Sequence, residues 1–214
     1  MSLPLKLASS VATWDERYAE PAYAYGDAPN DFLREQFGRL SGPVLCLAEG
    51  QGRNAVFLAA QGLEVTAVDQ SKVGLDCAQS LAAKAGVAIE TVVGDLGDFD
   101  LGEERWGAIV SIFAHVPAHI RKAVHAKVAA ALQPGGIFLL EAYRPEQLGL
   151  GTGGPQNPAL MMTLAELREE LVGLHFEEAA EVEREIHEGV YHNGLSRTIQ
   201  LIARKAPASG VAGS

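Results

Sequence analysis

Leu45-Cys46-Leu47-Ala48-Glu49-Gly50-Gln51-Gly52-Arg53-Asn54 is the stretch on which the fold is read. An apolar run ends in two closely spaced glycines, and the segment Arg53 to Ala60 then has the pattern of a helix stopping at Gly62. Strand, tight turn and helix in that order open a βαβ unit, and glycine at such a turn lets a ligand approach the backbone closely. The next apolar run, Glu64 to Asp69, ends on a carboxylate able to accept both hydroxyls of a ribose.

The same rhythm continues outward from this unit. Pro43 to Ala48 is the first strand, and Ser71 caps a helix running to about Ala85 with Gly86 as its stop. Ile89 to Val93 and Ala108 to Phe113 read as strands. After Pro117, Ile120, Val124, Val128 and Leu132 line one face of a helix. Pro134-Gly135-Gly136 then turns the chain into a fifth strand, Ile137 to Glu141. Tyr143 to Pro158 is a long Gly- and Pro-rich loop of the kind that often borders a site. Thr163 and Glu166 form a capping box for a helix to about Val172, followed by paired strands Phe176 to Ile186 and Leu195 to Lys205.

The expected fold is therefore α/β: a doubly wound, Rossmann-like, seven-stranded, mostly parallel sheet with an antiparallel C-terminal hairpin. One domain is expected over 1–205, with residues 10–40 as an N-terminal lid and helix and 206–214 as a disordered tail.

With 48% hydrophobic and 21% charged residues, the 214-residue chain is ordinary for a protein that folds alone. Its formal charge of −10, from 17 basic and 27 acidic side chains, repels a phosphate backbone and argues against nucleic-acid partners. No apolar run approaches the roughly 18 residues of a membrane span. We expect no membrane association, a cytoplasmic location, a monomer or homodimer, and free thiols at Cys46 and Cys77.

The third strand is followed by Gly94-Asp95-Leu96, a carboxylate and an apolar side chain suited to the amine and face of an adenine. A pyrophosphate-binding turn has a third glycine, whereas Arg53 and Asn54 follow Gly52 here. His115, beyond the fourth strand at the edge where open sheets bind ligands, is the leading base, with packing or helix capping as its alternative. Glu141, Tyr143 and Arg144 leave the fifth strand on that edge, either lining an acceptor pocket or starting a solvated loop. His187 and His192 lack the spacing of a helical zinc motif, and no metal is expected. Arg184, His187 and His192 instead form a mildly basic patch suited to a small oxyanion.

Several stretches carry a resemblance: Trp14-Asp15-Glu16-Arg17-Tyr18 with Tyr25-Gly26 and Pro29-Asn30, Gly50-x-Gly52-Arg53-Asn54, Val68-Asp69-x-Ser71, Gly94-Asp95-Leu96, and Leu132-x-Pro134-Gly135-Gly136. On these the chain resembles class I S-adenosylmethionine-dependent methyltransferases, and within them the tellurite-resistance and thiopurine-methyltransferase-like branch. The resemblance implies S-adenosylmethionine as cofactor and methyl transfer to a small molecule, such as a chalcogen oxyanion or thiol (tellurite, selenite).

It implies cofactor contacts from Arg17, Tyr25, Glu49, Gly50, Gly52, Asn54, Asp69, Gln70, Asp95, Leu96 and Phe113. Trp14, Tyr18, His115, Tyr143, Arg144, Arg184, His187 and His192 would face the acceptor, with His115 and Tyr25 catalytic. The N-terminal aromatic segment would act as a lid. The usual acid two residues before the first glycine is absent, since Ala48 stands there. Glu49 or loop carbonyls would replace it. A nicotinamide-dependent oxidoreductase and a non-catalytic S-adenosylmethionine-binding protein stay open as alternatives.

Overall fold

The computed structural model describes residues 11–19 and 23–208. The elements are α1 (Val11–Tyr18), α2 (Asp31–Gln36), β1 (Val44–Leu47), α3 (Arg53–Ala60), β2 (Val65–Asp69), α4 (Lys72–Ala85), β3 (Glu90–Val93), β4 (Trp106–Ile112), α5 (Ala118–Ala131), β5 (Leu132–Tyr143), α6 (Leu164–Glu170), β6 (Leu174–Glu188) and β7 (His192–Lys205).

They form one seven-stranded sheet of order β3-β2-β1-β4-β5-β7-β6. The β1, β2, β3, β4 and β5 pairings are parallel, while β7 runs antiparallel to both β5 and β6. Strand order reverses between β1 and β4, so a crevice for ligands opens at their carboxyl ends.

Residues β1, β2 and β4 are buried throughout, without polar alternation, because helices cover both sheet faces. Val44, Cys46, Ala67 and Val110 pack toward Phe32, Leu33, Leu58 and Leu75 on one side. Leu45, Leu47, Ile109 and Phe138 pack toward Val124, Val128 and Leu167 on the other. Helix ends follow local chemistry: Ser71 Oγ accepts from Gly74, Gly86 closes α4 in the left-handed region, and Thr163 and Glu166 form the expected capping box.

The structure departs most from the expectation at β5, at the hairpin and in the long loop. β5 begins at Leu132, paired with Trp106, and the Pro134-Gly135-Gly136 turn is a bulge inside it, since Ala108 next pairs with Ile137. The hairpin strands extend to Glu188 and from His192, leaving a tight turn at 189–191 because their pairing continues beyond the apolar cores on which they were read. The long loop contains two short 3-10 turns, Pro145–Gln147 and Pro158–Leu160. Of the expected tail, 206–208 has no regular structure and 209–214 lies outside the described residues. Cys46 is buried and Cys77 half-buried, both as free thiols.

Away from the crevice, α6 is pinned to α5 by a buried ion cluster. Arg121, 1% exposed, donates Nε and Nη2 to Glu170 and Nη1 to the Met161 carbonyl at 2.9 Å, and His125 Nδ1 meets Glu170 at 2.7 Å. Removing Glu170 leaves buried Arg121 with the more exposed Glu166, 3.3 Å away, as its carboxylate, so Glu170→Ala is expected to cost about 3 kcal/mol in chemical denaturation. Burial opposes the Glu170 charge, yet hydrogen bonds from His125 and Arg121 hold its carboxyl below the usual range. Its contribution is therefore present above the ordinary glutamate pKa and lost as pH falls through the depressed value, and the variant should flatten acid unfolding there.

Candidate functional site at the carboxyl edge of the sheet

The turn after β1 is built by hydrogen bonds to two acids. Asp69, at the end of β2 and 5% exposed, accepts from Gly50 N at 2.9 Å and from Ser71 N at 2.8 Å. Burial raises its pKa against the pull of those amides. Glu49 Oε1 accepts from Asn54 N and Ala55 N at 2.9 and 2.8 Å, capping α3, and burial pushes its pKa up to about 7. Ala48 and Phe113, at the ends of β1 and β4, have φ of 49° and 52°. Left-handed backbone costs a side-chain-bearing residue about 1–2 kcal/mol, and both cases flank the crevice.

The two glycines serve different ends. A Cβ at Gly50 would lie 2.6 Å from Tyr18 Oη, so its bare face is covered by α1. A Cβ at Gly52 would lie 2.5 Å from Ala78 Cβ, so its bareness lets the turn pack on α4. At the end of β3, Asp95 is exposed beside buried Leu96, and Asp95 Oδ1 accepts from Gly97 N at 2.8 Å. Gln70 is half-buried on the turn after β2.

The N-terminal segment lies over this turn. Asp15 accepts from Ser71 Oγ, Gln51 Oε1 accepts from Ala24 N at 2.8 Å, and Asn54 Oδ1 accepts from Asn30 N at 2.9 Å. Trp14 stacks on Tyr18 at 5.7 Å. Arg17 donates to Tyr25 Oη at 2.8 Å and lies 4.9 Å above the rings of both Trp14 and Tyr191. From the other side, Val190 N and Tyr191 N both donate to the Ala24 carbonyl, fastening the hairpin turn to the segment.

A ring cluster fills the acceptor side. His192 lies 4.6 Å from Tyr25, 4.7 Å from Phe113 and 5.3 Å from Tyr143 between ring centroids, and Phe113 stacks on Tyr143 at 4.7 Å. His115 joins them, but its Nδ1 is 2.9 Å from the Leu160 carbonyl and its Nε2 accepts from Tyr143 N at 3.2 Å. Burial lowers its pKa to about 4, so the ring is neutral and held by main chain at both nitrogens.

The expected basic patch takes another form. Arg184 binds Glu141 through Nε and Nη2 at 2.9 and 2.8 Å and reaches Glu188 at 3.2 Å, while Arg53 pairs with Glu188 at 2.7 Å. Glu141 is fully buried and also accepts from Asn30, Thr198 and Gln200. Arg144 pairs with Glu181 at 2.9 Å, and His187 is exposed, with Asn193 at 2.8 Å.

Arg17, Tyr18, Tyr25, Gly50, Asp69, Phe113, His115, Tyr143 and His192 thus converge on one edge, whereas Asn54, Arg144, Arg184 and His187 turn to scaffold or surface contacts. Gln51, Asn30 and the facing glycines Gly26 and Gly189 receive no role from sequence; the signal available was that Gly26, Asn30 and Gln51 stand within the quoted motifs. Among the described residues, no group of three or more His, Cys, Asp or Glu side chains could hold a metal, and no helix is long and apolar enough to cross a membrane.

Compared with known proteins, residues 44–136 match the family model described as a methyltransferase domain. The curated relative "Uncharacterized methyltransferase YbaJ" of Bacillus subtilis (strain 168) is 32% identical over 114 residues, 53% of this chain and 44% of YbaJ. The match therefore spans less than half of that relative. The CcbJ methyltransferase from Streptomyces caelestis superposes with a TM-score of 0.69 at 22% identity, covering 92% of this chain and 100% of CcbJ. TehB from Haemophilus influenzae gives 0.68 at 21% identity, covering 90% and 66%. The sheet is thus the Rossmann-like methyltransferase fold.

Gly189 has φ of 75°, and a Cβ there would lie 2.3 Å from Gly26 N. Gly189→Ala should lift the hairpin turn from the N-terminal segment. Amide exchange at Ala24, Val190 and Tyr191 is expected to accelerate at least tenfold while the sheet amides keep their protection.

Proposed function

We propose that this chain is a class I S-adenosylmethionine-dependent methyltransferase acting on a small-molecule acceptor. The methyltransferase-domain match implies S-adenosylmethionine as the methyl donor. The observation that carries the reading is the joining of the Gly50 turn to buried Asp69, at the point where strand order reverses. Asp69 Oδ2 accepts from Gly50 N and Oδ1 from Ser71 N, the Gln70 amide also pulls on the acid, and of the carboxylate's four lone pairs at least one is left for a ribose hydroxyl. Asp95 and Leu96 suit an adenine amine and ring face. The remaining lone pair and the exposed Asp95 make the residues present fit an adenosyl group.

The donor's sulfonium supplies an already activated methyl group. The chain's part is to hold the acceptor in line at about 3–3.5 Å and exclude water. Tyr18 and Tyr25 close the site, Arg17 serves the donor's carboxylate, and Glu49 receives its amine in place of the acid missing at Ala48. A nicotinamide enzyme is less favoured because Arg53 and Asn54, where a third glycine would open the helix, hold Glu188 and Asn30. Of the chalcogen acceptors, a thiol or selenol suits the site better than tellurite or selenite, since Arg53, Arg144 and Arg184 are each paired with carboxylates. The formal charge of −10 favours a small molecule over nucleic acid, and we place the protein in the cytoplasm.

A screen of thiols, thiopurines, small amines, phenols, selenite and tellurite, read by S-adenosylhomocysteine release, tests the reading. Turnover with a small molecule is expected. Binding without turnover on any class would favour a non-catalytic binding protein, and reduced-nicotinamide binding without S-adenosylhomocysteine binding an oxidoreductase.

Glu49 gives a second test. With a pKa near 7 it is partly protonated in the free protein at neutral pH. An ammonium placed beside it favours the carboxylate, so donor binding at pH 7 should release a fraction of a proton. Calorimetry in buffers of different ionisation enthalpy reads this, and Glu49→Gln should abolish the difference.

A further inference from the structure

Resting on the methyl-transfer reading, we infer that His192, with Tyr143 beside it, receives the proton of a neutral protic acceptor, an amine, phenol or thiol on a compact, flat molecule, as its bond to the methyl group forms.

One polar atom of the ring cluster stands apart. His192 Nδ1 is buried, in a residue 7% exposed, and makes no hydrogen bond, whereas the Tyr143 hydroxyl beside it, on a fully buried residue, has Ser196 as its partner. Leaving an atom such as Nδ1 unpaired costs about 1–3 kcal/mol, and native proteins rarely keep one without a ligand or other use for it. Both atoms lie in the ring cluster, walled by Tyr25, Phe113 and His115. An acceptor packed against these rings would meet the His192 lone pair, with the Tyr143 hydroxyl beside it.

His115 cannot take this part without losing its contact with Tyr143 N, because its one acceptor nitrogen already receives that amide. The groups facing His192 are Arg17 of α1, Arg53 of α3, His115 after β4, Arg184 of β6 and Tyr25 of the N-terminal segment. Tyr143 of β5 and Glu188 of β6, the cross-strand partner of His192, complete the set. Burial first, and then these cations, push its pKa well below the usual histidine value, so the ring is neutral with a lone pair to offer. Two of these cations are already paired, Arg53 by Glu188 and Arg184 by Glu141, and Arg17 is reserved for the donor's carboxylate. An oxyanion would have to break those pairs, and a neutral molecule would not.

The step balances. The acceptor's lone pair forms the bond to the methyl carbon, and the carbon–sulfur bond breaks with its electron pair left on sulfur, giving a neutral thioether. The acceptor's proton passes to His192, and the imidazolium returns it to water.

The test is an imidazole NMR titration of the full chain with S-adenosylhomocysteine bound, adding phenol, aniline, thiophenol or selenite, alongside pH–rate profiles of wild type and His192→Gln on the best acceptor. We expect the His192 signal to stay neutral down to acidic pH and to move on saturation with at least one aromatic probe, but not with selenite. His192→Gln should lower kcat by about 100-fold and remove the acid limb of the profile, with S-adenosylhomocysteine affinity within twofold of wild type. His115→Asn should keep that limb. If His192 titrates near its ordinary value, moves only with selenite, or can be replaced without changing the limb, the inference is overturned. If the folded chain takes up no S-adenosylhomocysteine at all, it is the methyl-transfer reading that fails. Should His192→Gln not fold, the wild-type titration decides alone.

Discussion

A single carboxylate holds the turn after β1 against the turn after β2. Asp69 accepts from the amides of Gly50 and Ser71 across the crevice where the sheet reverses its order. Because the acid is buried, those amides are what keep it oriented, and the charge in turn fixes the loop that a ligand would touch. Ser71 extends the link, since the same residue caps α4 and donates to Asp15 of α1. The N-terminal segment therefore rests on a base set by β1 and β2.

Around that base, the polar residues that look like site chemistry divide into two kinds. One kind is satisfied: Glu141 with Arg184 and Asn30, Arg53 with Glu188, and His115 between two main-chain groups. These fix positions, and most of their charge is spent within the fold. The other kind is left with capacity: Asp69, Asp95, Glu49, Tyr143 and His192. Only the second kind has valence to offer a ligand, which is why the pairing pattern says more about function than the mere presence of basic residues.

The strands of the parallel half, the helix caps and the acid after β2 were legible because each follows from local pattern: apolar runs, Ser71, Gly86, and the Thr163–Glu166 box. Hairpin limits were less legible, since β6 and β7 continue through Glu188 and His192 on backbone pairing that needs no apolar signal. Site geometry was half legible. Sequence brought Asp69, Phe113 and His115 to one edge through the strand ends at which they stand, and Tyr25 only through the family resemblance. It could not show that Gly52 faces Ala78, that Arg184 is neutralised by a residue 43 positions away, or that the hairpin register pairs His187 with Asn193 and His192 with Glu188, leaving His187 exposed and His192 buried. Those depend on long-range pairing, for which the chain carries no local mark.

The most direct measurement is calorimetric titration of S-adenosylhomocysteine into the folded chain and into Asp69→Asn, which keeps one acceptor oxygen but loses the charge. Saturable one-to-one uptake by the wild type, weakened at least tenfold in the variant at unchanged fold, is what the account predicts. A folded wild-type chain that takes up none, or a variant that binds equally well, would contradict it.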